Sequence, residues 1–82
     1  MTPAGYGQMT HMLKTLANGR VVLALEGGYN LNSIAKSAHA CMSVLLGEAP
    51  EIPAILTPSP EAVKTIEKVK NIQAQHWDCL KY

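Results

Sequence analysis

The hydrophobic positions near the start of the chain follow the period of a helix. Between residues 2 and 16, apolar side chains recur at spacings of three and four, which is typical of one face of an α-helix. Thr2 is a suitable cap, Pro3 suits the first turn, and Asn18-Gly19 is predicted to close the helix. The predicted inner face consists of Tyr6, Met9, Met12, Leu13 and Leu16.

The segment from Val21 to Leu25 has a different pattern, because its five residues are all apolar. Such a run favours a strand buried on both faces, and a helix followed by a short link and a strand is typical of a parallel α/β sheet. Tyr29 follows after Glu26 and two glycines. Ligand sites in open α/β sheets lie beyond the carboxyl ends of the strands, so Tyr29 is the first candidate for chemistry. One strand is not a sheet, and we expect its neighbours to come from outside these residues.

Two further helices are predicted after this loop. Asn32 or Ser33 is expected to cap the second, and the prolines of residues 48–58 predict an irregular connection. Residues 59–61, Ser-Pro-Glu, form a good start for the third helix, and Trp77 is expected to anchor that helix to the core. The predicted inner faces are Ile34, Ala38, Cys41, Met42 and Leu45 in the second helix, and Val63, Ile66, Val69 and Ile72 in the third, continued by Leu80.

Composition excludes several classes of function. The chain has 82 residues, and this length allows one small domain at most. The hydrophobic fraction of 48% is normal for a globular chain. Its net charge of +1 gives no electrostatic reason to expect a nucleic acid or an anionic membrane as partner. Cys41 and Cys79 form no Cys-x-x-Cys pair, and they are interpreted as reduced intracellular thiols. His39 and Cys41 would point about 200° apart on a helix, so they are not expected to share a metal ion.

The residues around Tyr29 resemble a known family. Leu25-Glu26-Gly27-Gly28-Tyr29-Asn30-Leu31 is similar to the tyrosine loop of zinc-dependent lysine deacetylases, the histone deacetylase family. The flanking segments 2–6, 9–13 and 45–48 resemble its class IIb branch, which includes the tubulin deacetylase. The resemblance implies that residues 1–82 are the C-terminal part of a deacetylase catalytic domain with an arginase/deacetylase-like three-layer α/β/α fold. The family's zinc-binding Asp-x-His segment, second zinc-binding aspartate and catalytic His-His pair have no counterpart here.

The same resemblance implies roles for three residues. Tyr29 would be the catalytic residue that stabilises the oxyanion, and Gly27 and Gly28 would bind substrate as part of the tunnel wall. Zinc would be the cofactor of the complete domain, with none bound by this chain, which would be inactive alone. The partners would be the remaining half of the domain and acetylated histones, tubulin or other proteins, in the cytoplasm or the nucleus. Glu26 is either a plain charged residue at a strand end or a residue that orients the loop.

Two other functions are compatible with the pattern. A strand, a glycine loop and a helix superficially suit a nucleotide-binding fragment, although the chain has neither Gly-x-Gly-x-x-Gly nor Gly-Lys-Ser/Thr. The chain is also compatible with a non-catalytic interaction module that uses the exposed faces of its helices.

Overall fold

A computed structural model describes all of residues 1–82 and contains three α-helices. These are α1 (Pro3–Leu13), α2 (Leu31–Leu45) and α3 (Pro60–Gln73), with short 3₁₀ turns at Ala17–Gly19 and Asp78–Leu80. The predicted order of the three helices is confirmed. None of the helices is both long enough and apolar enough to span a bilayer.

The helix starts show why the sequence folds locally as it does. Thr2 Oγ1 accepts a hydrogen bond from the Gly5 N–H at 3.0 Å, and Ser59 Oγ accepts one from the Ala62 N–H at 3.1 Å. Both predicted caps are therefore confirmed, and each satisfies a backbone donor that the first helical turn leaves free. The end of α1 was predicted too late, because the helix stops at Leu13 and Asn18 lies in the turn that follows.

The core lies between α1 and α2 and is built from small side chains. The buried residues are Ala4, Gly7 and Thr10 on α1 and Ser37, Cys41 and Val44 on α2. A Cβ added at Gly7 would lie 3.7 Å from both the Ala40 carbonyl oxygen and Val44 Cγ2, so the two helices are in close contact there. Lys14 Nζ also donates to the Val44 carbonyl oxygen at 2.7 Å, which satisfies an acceptor at the end of α2. The interpretation of Cys41 as a small core residue is confirmed.

The predicted inner face of α1 is wrong for this chain. Tyr6, Met9, Met12, Leu13 and Leu16 are all exposed, at 40–67% of their surface. The period of the pattern was that of a helix, but the face that packs on α2 is the one whose small residues allow close approach. The inner face predicted for α2 is right for Cys41 and wrong for Ala38 and Met42, which are exposed.

The predicted strand at residues 21–25 is also wrong for this chain, which contains no strand and is helical rather than α/β. Residues 21–29 make no backbone–backbone hydrogen bond, and Val22 is 92% exposed. A strand without neighbouring strands is not stable. The N–H and C=O groups of a strand need a neighbouring strand, and these 82 residues provide none.

Helix α3 packs mainly on the segment that follows it. Lys70 Nζ lies 3.7 Å from the centroid of the Tyr82 ring, while the apolar residues of α3 remain exposed. The prediction that Trp77 anchors this helix to the core is wrong, because the side chain is 61% exposed. The predicted inner face of α3 has the spacing of an amphipathic helix, but the α1–α2 pair does not cover it.

Candidate functional site

The tyrosine loop, residues 25–31, leads directly into the first turn of α2. Asn30 is the N-cap: its Oδ1 accepts a hydrogen bond from the Ser33 N–H at 3.1 Å, and its carbonyl oxygen accepts one from the Ile34 N–H at 3.0 Å. The sequence-based choice of Asn32 or Ser33 as cap is therefore wrong, since both belong to the helix. Tyr29 immediately precedes this cap, so the start of α2 fixes the backbone on one side of it.

The backbone on the other side of Tyr29 requires glycine. Gly28 has φ +87°, in the left-handed region that side chains disfavour. A Cβ at this position would lie 2.7 Å from Ile34 Cδ1 and 3.4 Å from Ile34 Cγ1. Gly28 is therefore constrained by its own conformation, and a side chain there would also have to displace the flexible end of Ile34.

Gly27 is under neither constraint. Its φ lies outside the left-handed region, and a Cβ added there would meet nothing within 4 Å. Both glycines line an open groove of about 580 Å³ beside α2, which we call the α2 groove; its lining includes Leu23, Leu25 and Ile34. A side chain at position 27 is accommodated by this chain, so any effect it has would come from a molecule that approaches the loop.

Tyr29 lies next to the α2 groove but is not part of its lining. Its side chain is 93% exposed, so it is not a packing residue within this chain. Glu26 is exposed as well and makes neither a side-chain hydrogen bond nor a salt bridge. Of the two interpretations of Glu26, the structure favours the plain charged residue. In the structure Gly27 and Gly28 thus line the groove beside α2, and the ring of Tyr29 is exposed.

A catalytic zinc site does not fit the residues present. Such a site typically needs three protein ligands and an open position. No three side chains of histidine, cysteine, aspartate or glutamate lie close enough together to hold a metal ion.

Sequence reasoning missed two residues of the site, Asn30 and Ile34. A signal existed for Asn30, because asparagine is among the preferred N-cap residues and directly follows the loop. Ile34 was assigned to the inner face of α2. No local pattern indicates that its Cδ1 occupies the space where a side chain of residue 28 would begin.

Comparison with known proteins places this loop in a family context. The profile described as Histone deacetylase domain matches residues 1–45. Histone deacetylase HDA1 of Saccharomyces cerevisiae is 49% identical over 83 residues, which cover 99% of this chain and 12% of that protein. Histone deacetylase 15 of Arabidopsis thaliana is 50% identical over 82 residues, covering 98% of this chain and 15% of that protein.

A solved histone deacetylase structure is also similar to this chain. The structure of the histone deacetylase Clr3 superposes with a TM-score of 0.79 and 49% sequence identity, covering 96% of this chain and 13% of that chain. The chain thus spans roughly an eighth of the length of these relatives. Their names do not specify the tubulin-deacetylase branch, so that assignment stays a prediction. Because the profile covers more than half of the chain, including residues 26–29, the chain belongs to the histone deacetylase domain family.

Proposed function

We propose that this chain contributes the tyrosine loop to the catalytic domain of a protein lysine deacetylase. The observation that carries the proposal is the family match over residues 1–45, which includes Gly27, Gly28 and Tyr29. The substrates are acetyl-lysine amides in proteins. Acetylated histones are the first choice because the relatives are named histone deacetylases. Tubulin is the alternative that the class IIb resemblance predicts, and the compartment, nucleus or cytoplasm, follows from that choice.

In this reaction Tyr29 would act as a hydrogen-bond donor. Water adds to the acetyl carbonyl carbon, negative charge develops on the carbonyl oxygen, and acetate and the lysine amine are the products. A tyrosine O–H is a hydrogen-bond donor, and the exposed ring of Tyr29 is free to meet this oxygen. A fixed donor of this kind contributes about 3–4 kcal/mol to stabilising the transition state. Gly27 and Gly28 form part of the wall along which the lysine chain passes.

We further propose that residues 1–82 are the C-terminal part of this catalytic domain and that its zinc is held by residues outside the chain. Three apolar surfaces support this proposal: the exposed side of α1, the segment 21–25 and the exposed side of α3. Exposed apolar surface of this extent is typical of a binding or packing surface. The remaining part of the domain is the partner that would cover it.

The proposal is tested in a completed domain, defined as S. cerevisiae HDA1 in which the segment matching this chain is replaced by residues 1–82. We expect the purified protein to hydrolyse an acetyl-lysine peptide, because the grafted residues would supply the loop that the host lacks. Circular dichroism and zinc content control for folding and for the metal site of the host. A folded, zinc-loaded protein without turnover would contradict the proposed function.

The two glycines give a paired prediction in the completed domain. Gly28→Ala is expected to lower kcat by about 10-fold or more, because alanine at this positive φ is strained by about 1–2 kcal/mol and relieving the strain shifts the loop. Gly27→Ala meets no atom of this chain, so we expect kcat to be kept while KM for the peptide rises. Steady-state kinetics separates the two effects. Equal kcat for Gly28→Ala and the parent would show that the loop tolerates a side chain there.

A further inference from the structure

We propose that Ile34 is a positioning residue for Tyr29, acting through its contact with Gly28. This inference rests on the proposed function, because it needs the Tyr29 hydroxyl to be the donor in the reaction. In this proposal a side chain of α2 holds the loop that contains Tyr29. Ile34 itself would not touch substrate.

Within this chain, the tyrosine loop has few supports other than its contact with Ile34. Within these 82 residues, 21–29 make no backbone–backbone hydrogen bond, so the supports that this chain itself gives the loop are a helix cap and side-chain packing. Tyr29 is 93% exposed, so its ring is not held by packing within the chain. The contacts that this chain makes next to Tyr29 are therefore those of Gly28 and Asn30.

The side chain of Ile34 fills the space beside Gly28. Ile34 Cδ1 lies 2.7 Å from where a Cβ of residue 28 would be, with Cγ1 at 3.4 Å and Cβ at 3.7 Å. The glycine lacks that carbon, so the end of the isoleucine packs directly against the loop. The side chain is half-buried and lines the α2 groove together with both glycines.

The first turn of α2 holds the backbone of Ile34 in place. Its N–H donates to the Asn30 carbonyl oxygen in the first turn of α2, and the neighbouring Ser33 N–H donates to Asn30 Oδ1. In a helix a β-branched side chain has one strongly preferred χ1 rotamer, which fixes Cγ1 of Ile34, while Cδ1 still turns about χ2. The Asn30 cap and the Ile34 side chain thus connect the backbone on both sides of Tyr29 to the first turn of α2. Shortening Ile34 removes the contact with Gly28 and leaves the Asn30 cap intact.

The test is a double-mutant cycle in the completed domain, with acetyl-lysine peptide as substrate. Ile34→Ala is expected to lower kcat by about 10- to 100-fold with KM little changed, because a donor displaced by about 1 Å loses much of its effect. In the Tyr29→Phe background the same Ile34→Ala change should alter kcat by less than about 2-fold, because no donor remains to be misplaced. Equal losses in both backgrounds, or no loss in either, would overturn the positioning role.

The cycle separates failure of this inference from failure of the proposed function. If Tyr29→Phe alone leaves kcat unchanged, the proposed function is wrong and the inference falls with it. If Tyr29→Phe is slow but Ile34→Ala costs the same in both backgrounds, only the inference is wrong. Val44→Ala is the matched control, because Val44 is a buried aliphatic residue of α2 that faces α1; we expect this variant to lower stability while keeping kcat.

A compensating pair covers the case in which Ile34→Ala does not fold. Gly28→Ala introduces a Cβ against Ile34 Cδ1, and Ile34→Val removes that atom while keeping Cγ1. We therefore expect the double variant G28A/I34V to have a kcat about 5-fold or more above that of G28A alone, with the strain of the positive φ remaining. A double variant no faster than G28A would overturn the proposal, because the contact would then not control the loop.

Discussion

Tyr29→Phe in the completed domain is expected to lower kcat by about 100-fold or more while KM for an acetyl-lysine peptide and the bound zinc stay unchanged. The substitution keeps the ring and removes only the hydroxyl. The side chain is exposed in this chain, so the loss would not be a consequence of lost packing here. Steady-state kinetics at saturating peptide measures the effect, and metal analysis of the same sample measures zinc.

Tyr82→Phe is the matched control for this experiment. It removes the same hydroxyl from an exposed ring that lies over Lys70, far along the chain from the tyrosine loop. We expect kcat of this variant to equal that of the parent. A Tyr29→Phe variant with unchanged turnover would exclude Tyr29 as the oxyanion donor.

The second large effect concerns the 82-residue chain by itself. We expect no deacetylase turnover, no bound zinc and no sharp thermal transition, although circular dichroism should show helix. Only 6 of 82 residues are buried, and the hydrophobic ones are Ala4, Cys41 and Val44. Such a core removes too little apolar surface from water to offset the entropy of ordering the chain. Calorimetry with light scattering measures the transition and the association state together.

Two outcomes would contradict this expectation in different ways. A cooperative melt of a monomer without zinc would show that the open apolar faces do not prevent independent folding. Robust turnover with one tightly held zinc ion would mean that the chain is complete as a catalyst, against the proposal that ligands come from elsewhere. Val44→Ala serves as internal control, because it should lower the helical signal if the α1–α2 contact exists in solution.

Features set by neighbouring residues could be predicted from the sequence. Thr2 and Ser59 act as caps because the donors they satisfy are three residues away, and Pro60 suits a first turn wherever the helix packs. The importance of Gly28 also has a local component, its left-handed φ. The resemblance around Tyr29 pointed to the family that the profile and the Clr3 structure support.

Features that depend on distant partners could not be predicted in this way. The apolar run 21–25 has the composition of a buried strand, but hydrogen-bonding neighbours decide whether a strand forms. Helix α1 packs on α2 through the face that contains Gly7, because the two helices approach closely there. The larger side chains on the other faces of α1 have the more obvious helical period, and the prediction followed them. The contact between Ile34 and Gly28 spans six residues and depends on the path of the loop, which no propensity encodes.

The most direct test of the central claim is the distance from the Tyr29 hydroxyl oxygen to the carbonyl oxygen of a bound acyl-lysine. A crystal structure of the completed domain is needed, with a peptide whose acetyl-lysine amide is replaced by an uncleavable methyl ketone. A donor in place requires an O···O separation of about 2.5–3.0 Å. We expect a value in this range, with Gly27 and Gly28 alongside the lysine chain. A bound ketone with the Tyr29 hydroxyl beyond about 4 Å and turned away from it would contradict the account.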